Sequence, residues 1–314
     1  MKFAVVGAGG VGGYFGARLA QAGEDVMFIA RGAHREAMRT AGLRVISTEG
    51  TVTIPPARCV DSPGAVGPVD VVLFCVKSYD TESTAARLGP LLRPDTVVIS
   101  LQNGVDNEGK ILANIPTGTV FGGVAYIYST ITRPGEITET GGPKKVIFGP
   151  LPGAPENHRQ RAGTILESVR AAGIDAEVAG DITEALWKKF IFITGAAGIT
   201  ALTRLTLGEI LAVDDTRTLL LDAMTETAAV AQARGVQIEE GFLHGVFATL
   251  RRFDNNTRSS LHYDLSHGKP MEIDALSGTV VRLGAPLNIL TPVHKTIYAA
   301  LLPYHLKHSQ AVAR

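Results

Sequence analysis

Apolar residues in the first half of the chain fall into short continuous runs, separated by longer stretches with helical spacing. "KFAVVG" (Lys2–Gly7) predicts a buried strand, then a glycine turn and a helix through about Gln21. "DVMFIA" (Asp25–Ala30) predicts a second strand, and "RGAHREAMRTAG" a helix that stops at Gly42. "VDVVLFCVK" (Val69–Lys77) and "DTVVISLQNG" (Asp95–Gly104) predict two more strands, each running into a helical segment. Strands that alternate with helices imply a parallel sheet covered on both faces. From Val120 to Gly149 the texture turns β-rich, with Pro-Gly and Gly-Gly turns, which predicts antiparallel strands closing the sheet edge. A helix to Ala172 and a last strand, "DAEVAG", complete this half.

After Gly180 the β texture disappears. "DITEALWKKF" starts with Asp181 and Glu184 three apart, the spacing of a helix-capping box. "DDTRTLLLDAMTETAAVAQARG" is the clearest of the long helical patterns that follow, with Gly235 as its expected terminator. The expected organisation is an α/β domain over residues 1–180 and an all-helical domain over 181–314. No internal repeat or low-complexity tail interrupts it.

Composition narrows the functional classes. Thirty basic and thirty acidic side chains cancel, so no global charge points to nucleic acid or an anionic membrane. The longest apolar stretch, Phe190–Leu202, has thirteen residues and contains glycines and threonines, whereas a membrane span needs about 20. No secretory signal is visible at the N-terminus, and Cys59 and Cys75 cannot form a disulfide framework. A cytoplasmic protein is expected, with no metal. Apolar residues of the helical half could also serve a homodimer interface.

Gly7, Gly9 and Gly12 in "GAGGVG" form a G-x-G-x-x-G that follows a strand and opens a helix. The first glycine permits the tight turn, the second lets backbone approach a pyrophosphate, and the third lets helix pack on strand. The loop Gly7, Ala8, Gly9, Gly10, Val11 and Gly12 is therefore the expected dinucleotide site of a Rossmann-type domain. An enzyme using NAD usually ends the second strand with an acid for the ribose hydroxyls. Here the strand ends "FIARGAHR", with Arg31 at its tip, and a guanidinium suits the 2′-phosphate of NADP. His34 and Arg35 could assist or be ordinary first-turn residues. Lys77 and Asn103 end two strands at the carboxyl edge of the sheet, where ligands of such folds bind. Asn103 can hold the nicotinamide amide or the substrate beside it.

"GAGGVGGYFG", "VKSYDT", "SLQNGVDN", "GGVAYI", "ALWKKF" and "RSSLHYDLSHGKPMEIDALSGTVVRLG" occur in this order. Through them the chain resembles the ketopantoate reductases (2-dehydropantoate 2-reductases) from end to end. The resemblance implies a Rossmann domain, then a helical domain, and reduction of a small 2-oxo acid with NADPH in pantothenate and coenzyme A synthesis. It makes Lys189 the proton donor and Glu272 its catalytic partner. It also places Ser260, Lys77 and Asn103 in the active site. Lys188 lies about 100° around the helix from Lys189 and should point elsewhere. Ser260 would bind the substrate carboxylate; Arg258 either helps it or is a surface charge. Glu272 would bond the nascent hydroxyl or the cofactor ribose.

The sequence departs from the family in one helix. Asparagines that face substrate four and eight residues after the lysine are replaced by Ile193 and Ala197. Loss of a designed hydrogen bond changes substrate discrimination by orders of magnitude. Two alternatives therefore stand beside ketopantoate reduction. One is a paralogous NADPH-dependent reductase of a more apolar 2-oxo acid, the other an NADP-binding regulatory protein without turnover.

Overall fold

The computed structural model describes residues 1–312. The chain packs as two compact units, one of Met1–Gln102 with Asn107–Ala185, the other of Asn103–Asp106 with the chain from Leu186 onward. The described residues of the first unit build one ten-stranded sheet. Its strands are β1 (Lys2–Val6), β2 (Asp25–Ile29), β3 (Leu43–Ser47), β4 (Gly50–Ile54), β5 (Cys59–Val60), β6 (Val71–Phe74), β7 (Val97–Ser100), β8 (Thr119–Arg133), β9 (Glu136–Pro150) and β10 (Asp175–Val178). They lie in the order β4-β3-β9-β8-β7-β6-β1-β2-β5, with β10 added on β9. Helices α1 (Gly10–Gln21), α2 (Gly32–Ala41), α3 (Thr81–Ala85), α4 (Asn107–Asn114) and α5 (Glu156–Ala171) join them.

The near-continuous apolar runs reflect burial on both sides of the sheet. Along β1, Phe3 and Val5 enter one cluster with α1 and α5, while Ala4 and Val6 enter another with Ala85, Leu88 and Ile111. β6 repeats the alternation, Val71 and Leu73 against Val72 and Phe74. One-residue slips would exchange these sets, so the register Phe3↔Val71 through Val6↔Phe74 is strongly specified.

Two sheet features differ from expectation. β8 and β9 pair antiparallel, as the turns suggest, but they do not close an edge. β9 is fifteen residues long. Its first part takes β3 alongside Glu136–Thr138, and its last part takes β10 alongside Lys145–Phe148. The hairpin β3–β4, from Leu43↔Ile54 to Ser47↔Gly50, forms the edge beyond and is not among the predicted elements.

The second unit is helical, the α/β-then-helical class expected. It contains α6 (Ile182–Thr203) from Leu186 on, with α7 (Leu207–Ala212), α8 (Asp214–Ala233), α9 (Phe242–Leu250), α10 (Ser260–Ser266), α11 (Thr279–Gly284) and α12 (Pro292–Val312). Asp181 Oδ1 accepts from the Thr183 and Glu184 amides at 2.8 and 3.4 Å, starting α6 where the spacing indicated. After α8, the Gly235 amide donates to Gln232 and that of Val236 to Ala231, a paired closure with Gly235 at φ +82°.

α6 corrects the length argument against a membrane. It runs 22 residues with mean hydropathy 1.3, long enough to span. With 61% of its apolar window buried inside the protein, it is instead a core helix. Gly195 and Gly198 allow that depth, because a Cβ there would come within 2.6 Å of Met224 and 2.9 Å of Ile297.

Candidate active site

In the sheet unit the glycine loop has the shape that an anion requires. Gly7 leaves β1 at φ +96°, and a Cβ on it would sit 2.7 Å from the Val76 nitrogen. Gly12 lets α1 lie against the loop; its Cβ would meet the Gly7 oxygen at 2.4 Å. Gly10 passes Ser129 as closely, since a Cβ on it would sit 2.3 Å from that carbonyl oxygen. A Cβ on Gly9 would meet nothing within 4 Å, so Gly9 borders the open side of the turn. Ala8 is buried, and Val11 packs partly on the core. No acidic side chain lies in the first turn of α1, which leaves its free amides and partial positive charge to an anionic ligand. The loop thus fits a dinucleotide pyrophosphate.

Arg31 sits at the N-cap of α2, with its side chain 75% exposed. It is not an unengaged guanidinium: Asp80 forms an ion pair with it, and that bond holds Arg31 above its ordinary pKa. The sequence reading passed over Asp80, which competes with any phosphate for the same side chain. His34 is no exposed first-turn residue either, since it bonds both the glycine loop and the β8–β9 turn.

Lys77 and Asn103 do not end strands. β6 stops at Phe74 and β7 at Ser100, and each residue follows three positions later in a partly buried loop. Lys77 caps the turn Ser78–Asp80. The Asn103–Asp106 segment groups with the helical unit, where Val105 packs on the apolar core.

Within the helical unit, Lys189 and Glu272 come together. Burial lowers the Lys189 pKa to about 8, and the Glu272 carboxylate opposes that fall. Glu272 is buried and lies two residues before a π-helical turn, Asp274–Gly278, in which the Gly278 amide reaches back to the Ile273 carbonyl at 3.0 Å. Such turns recur at functional positions because they re-aim side chains. Lys188 diverges as expected, pairing with Glu239 at 2.7 Å and lying over the Phe242 ring.

Ser260 is the exposed first residue of α10. Its neighbour Ser259 makes the cap, accepting from the His262 amide at 3.1 Å and from the Thr200 hydroxyl at 2.7 Å. That contact fixes α10 near the far end of α6, eleven residues or ~16 Å along the axis from Lys189. Arg258 is exposed. Ile193 is partly buried and Ala197 is 1% exposed.

Sequence reasoning also missed a buried polar chain behind these residues. The Thr194 hydroxyl lies 3.0 Å from that of Thr227, which lies 2.8 Å from His294 Nε2; His294 Nδ1 lies 3.2 Å from the Ser277 hydroxyl. Hydroxyls in the middle of apolar helical runs, Thr194 above all, were the signal available.

Comparisons with known proteins agree across both units. The family described as "Ketopantoate reductase PanE/ApbA" matches residues 3–153, and its C-terminal counterpart matches residues 181–305. The chain is 32% identical to the uncharacterized oxidoreductase YkpB of Bacillus subtilis, over 97% of this chain and 99% of that protein. It is 32% identical to a 2-dehydropantoate 2-reductase of Mesorhizobium japonicum, over 95% and 96%. A crystal structure of a PanE/ApbA family ketopantoate reductase from Ralstonia eutropha superposes with TM-score 0.88 at 31% identity, covering 98% of this chain and 100% of that one. Carrying both family regions in order, this chain belongs to the ketopantoate reductase PanE/ApbA family of oxidoreductases.

Proposed function

We propose that the protein is an NADPH-dependent reductase of a small 2-oxo acid, with conversion of ketopantoate to pantoate as its first reading. The observation that carries the proposal is Lys189, an ammonium group with its pKa brought down to about 8 beside the Glu272 carboxylate. Hydride addition to a ketone carbon places negative charge on oxygen, and that charge needs a proton. At neutral pH Lys189 still carries its proton, yet burial makes the proton easier to give up. Glu272 keeps the ammonium charged between turnovers.

Gly7, Ala8, Gly9, Gly10, Val11 and Gly12 would hold the dinucleotide pyrophosphate, and Arg31 the 2′-phosphate. Lys77 and Asn103 would stand at the nicotinamide and substrate end. The nicotinamide supplies the hydride when bound. The family resemblance assigns the substrate carboxylate to Ser260, although α10 is held near Thr200, ~16 Å along α6 from Lys189. A cytoplasmic setting suits Cys59 and Cys75, both free thiols.

A second reading, a reductase of a more apolar 2-oxo acid, is favoured by Ile193 and Ala197, which offer no side-chain hydrogen bond where a hydroxylated substrate would want one. NADPH oxidation against a panel of 2-oxo acids separates the two. Ketopantoate preferred in kcat/KM, with rescue of a pantothenate auxotroph, supports the first. A preference of about tenfold or more for an aliphatic or aromatic 2-oxo acid supports the second. No turnover on any member rejects both.

Cofactor choice has its own expected result. Arg31→Ala should weaken NADPH binding far more than NADH binding. Asp80→Asn should tighten NADPH by roughly fivefold, as an exposed ion pair of about 1 kcal/mol no longer has to be broken. Unchanged NADPH-to-NADH affinity ratios in both variants, read by fluorescence titration, would remove Arg31 from the phosphate site.

A further inference from the structure

We infer that His34 is the positioning residue of the pyrophosphate-binding turn, aiming the Gly9 amide by holding the Ala8 carbonyl. The inference rests on the dinucleotide reading of the glycine loop. The geometry is confined to the sheet unit. The Gly135 amide donates to His34 Nδ1 at 3.0 Å, and His34 Nε2 lies 2.9 Å from the Ala8 carbonyl oxygen. A backbone N–H can only donate, so Nδ1 is the acceptor and Nε2 carries the proton that Ala8 accepts. One ring thereby ties α2 to two segments 26 and 101 residues away in sequence.

The Ala8–Gly9 peptide is trans, as is every peptide bond in the described chain. Its C=O and N–H therefore point in opposite directions. With the Ala8 carbonyl drawn to His34, the Gly9 N–H is turned the other way, and Gly9 is the glycine whose surroundings are open. The anchor at the other end is firm, because the Gly135 carbonyl accepts from the Arg44 amide of β3 at 2.9 Å. The turn amide is thus set before any ligand arrives, and the entropy of ordering it is not charged against binding.

The clamp works only with neutral His34, since a proton on Nδ1 removes the acceptor for Gly135. Burial lowers this histidine's pKa, so the neutral form prevails at pH 7 and the clamp weakens as pH falls below the ordinary histidine value of 6.5. The charged groups on the surrounding segments are Arg31 at the N-cap of α2, Arg35, Glu36 and Arg39 on α2, Arg44 on β3, and Arg133 and Glu136 beside the turn. The two carboxylates are already paired, Glu136 with Arg133 and Arg44, Glu36 with Arg35 and Arg39.

Calorimetric titration of the full chain with NADP+ tests the inference. His34→Ala should weaken binding roughly tenfold or more at pH 8. The ratio of wild-type to variant affinity should shrink as the titration is taken to progressively lower pH. The ratio is the quantity to read, since the 2′-phosphate titrates near pH 6 with either protein. His34→Gln, whose amide can donate to Ala8 without titrating, should recover most of the affinity at pH 8 and show the variant's flat ratio against His34→Ala. Equal NADP+ affinity of wild type and His34→Ala at pH 8, or a ratio independent of pH, overturns the role of His34. Failure of the wild type itself to bind NADP+ overturns the dinucleotide reading instead.

Discussion

Lys189→Ala is expected to lower turnover by roughly a thousandfold, since it removes both the charge that stabilises the developing alkoxide and the proton that quenches it. NADPH affinity should change little, because cofactor contacts are assigned to the glycine loop and not to α6. Lys188→Ala should stay within about twofold of wild type, as its side chain pairs with Glu239 and lies over the Phe242 ring. The pH profile supplies an independent check. Reduction requires protonated Lys189, so kcat/KM should fall as pH rises through about 8. Glu272→Gln removes the charge that holds this pKa up, and the fall should move to lower pH. Steady-state rates with NADPH and the best 2-oxo acid of the panel read all three variants. Equal losses from the two lysine variants, or a profile flat to pH 9.5, would sink the assignment.

The pattern of apolar runs was enough to place β1, β2, β6 and β7, because residues buried on both faces of a sheet must be apolar without interruption, but not the two-residue β5. It was enough for α1, α2 and α8, whose ends are marked by glycines. It overran β6 and β7, since "CVK" and "LQN" are as apolar or extended as the strands they follow, and only pairing decides where a ladder stops. The β3–β4 hairpin was lost for the opposite reason: half-exposed residues such as Arg44, Thr51 and Thr53 dilute the signal of an edge. In the site, Lys189 and Glu272 were legible through motif resemblance, eighty-three residues apart in sequence. Asp80 and His34 were not, because their meaning lies in partners 49 and 101 residues away. Neither periodicity nor composition reports which carboxylate meets which guanidinium.

His294→Ala is expected to cost the helical unit about 3 kcal/mol, near 10 °C in its thermal midpoint. His294 is fully buried among α6, α8, α12 and the turn after Glu272. Its Nε2 lies 2.8 Å from the Ala223 carbonyl, an acceptor only, so Nε2 carries the proton and Nδ1 accepts from the Ser277 hydroxyl. Removing the ring takes one hydrogen bond from each of the Ser277 hydroxyl, the Thr227 hydroxyl and the Ala223 carbonyl, and leaves a cavity. The wild-type protein should show the same dependence through pH. Burial brings the His294 pKa to about 4, against 6.5 for the free side chain. A depressed histidine favours the folded state in full above pH 6.5, and that advantage is lost as pH falls from 6.5 towards 4. Over that window the wild type should lose about 3 kcal/mol from this group. The variant lacks the group, so the two midpoints should converge as the pH approaches 4. Thermal melts of both proteins across this range decide the matter: a constant separation from pH 7 to pH 4 would show that His294 is not held neutral by its surroundings.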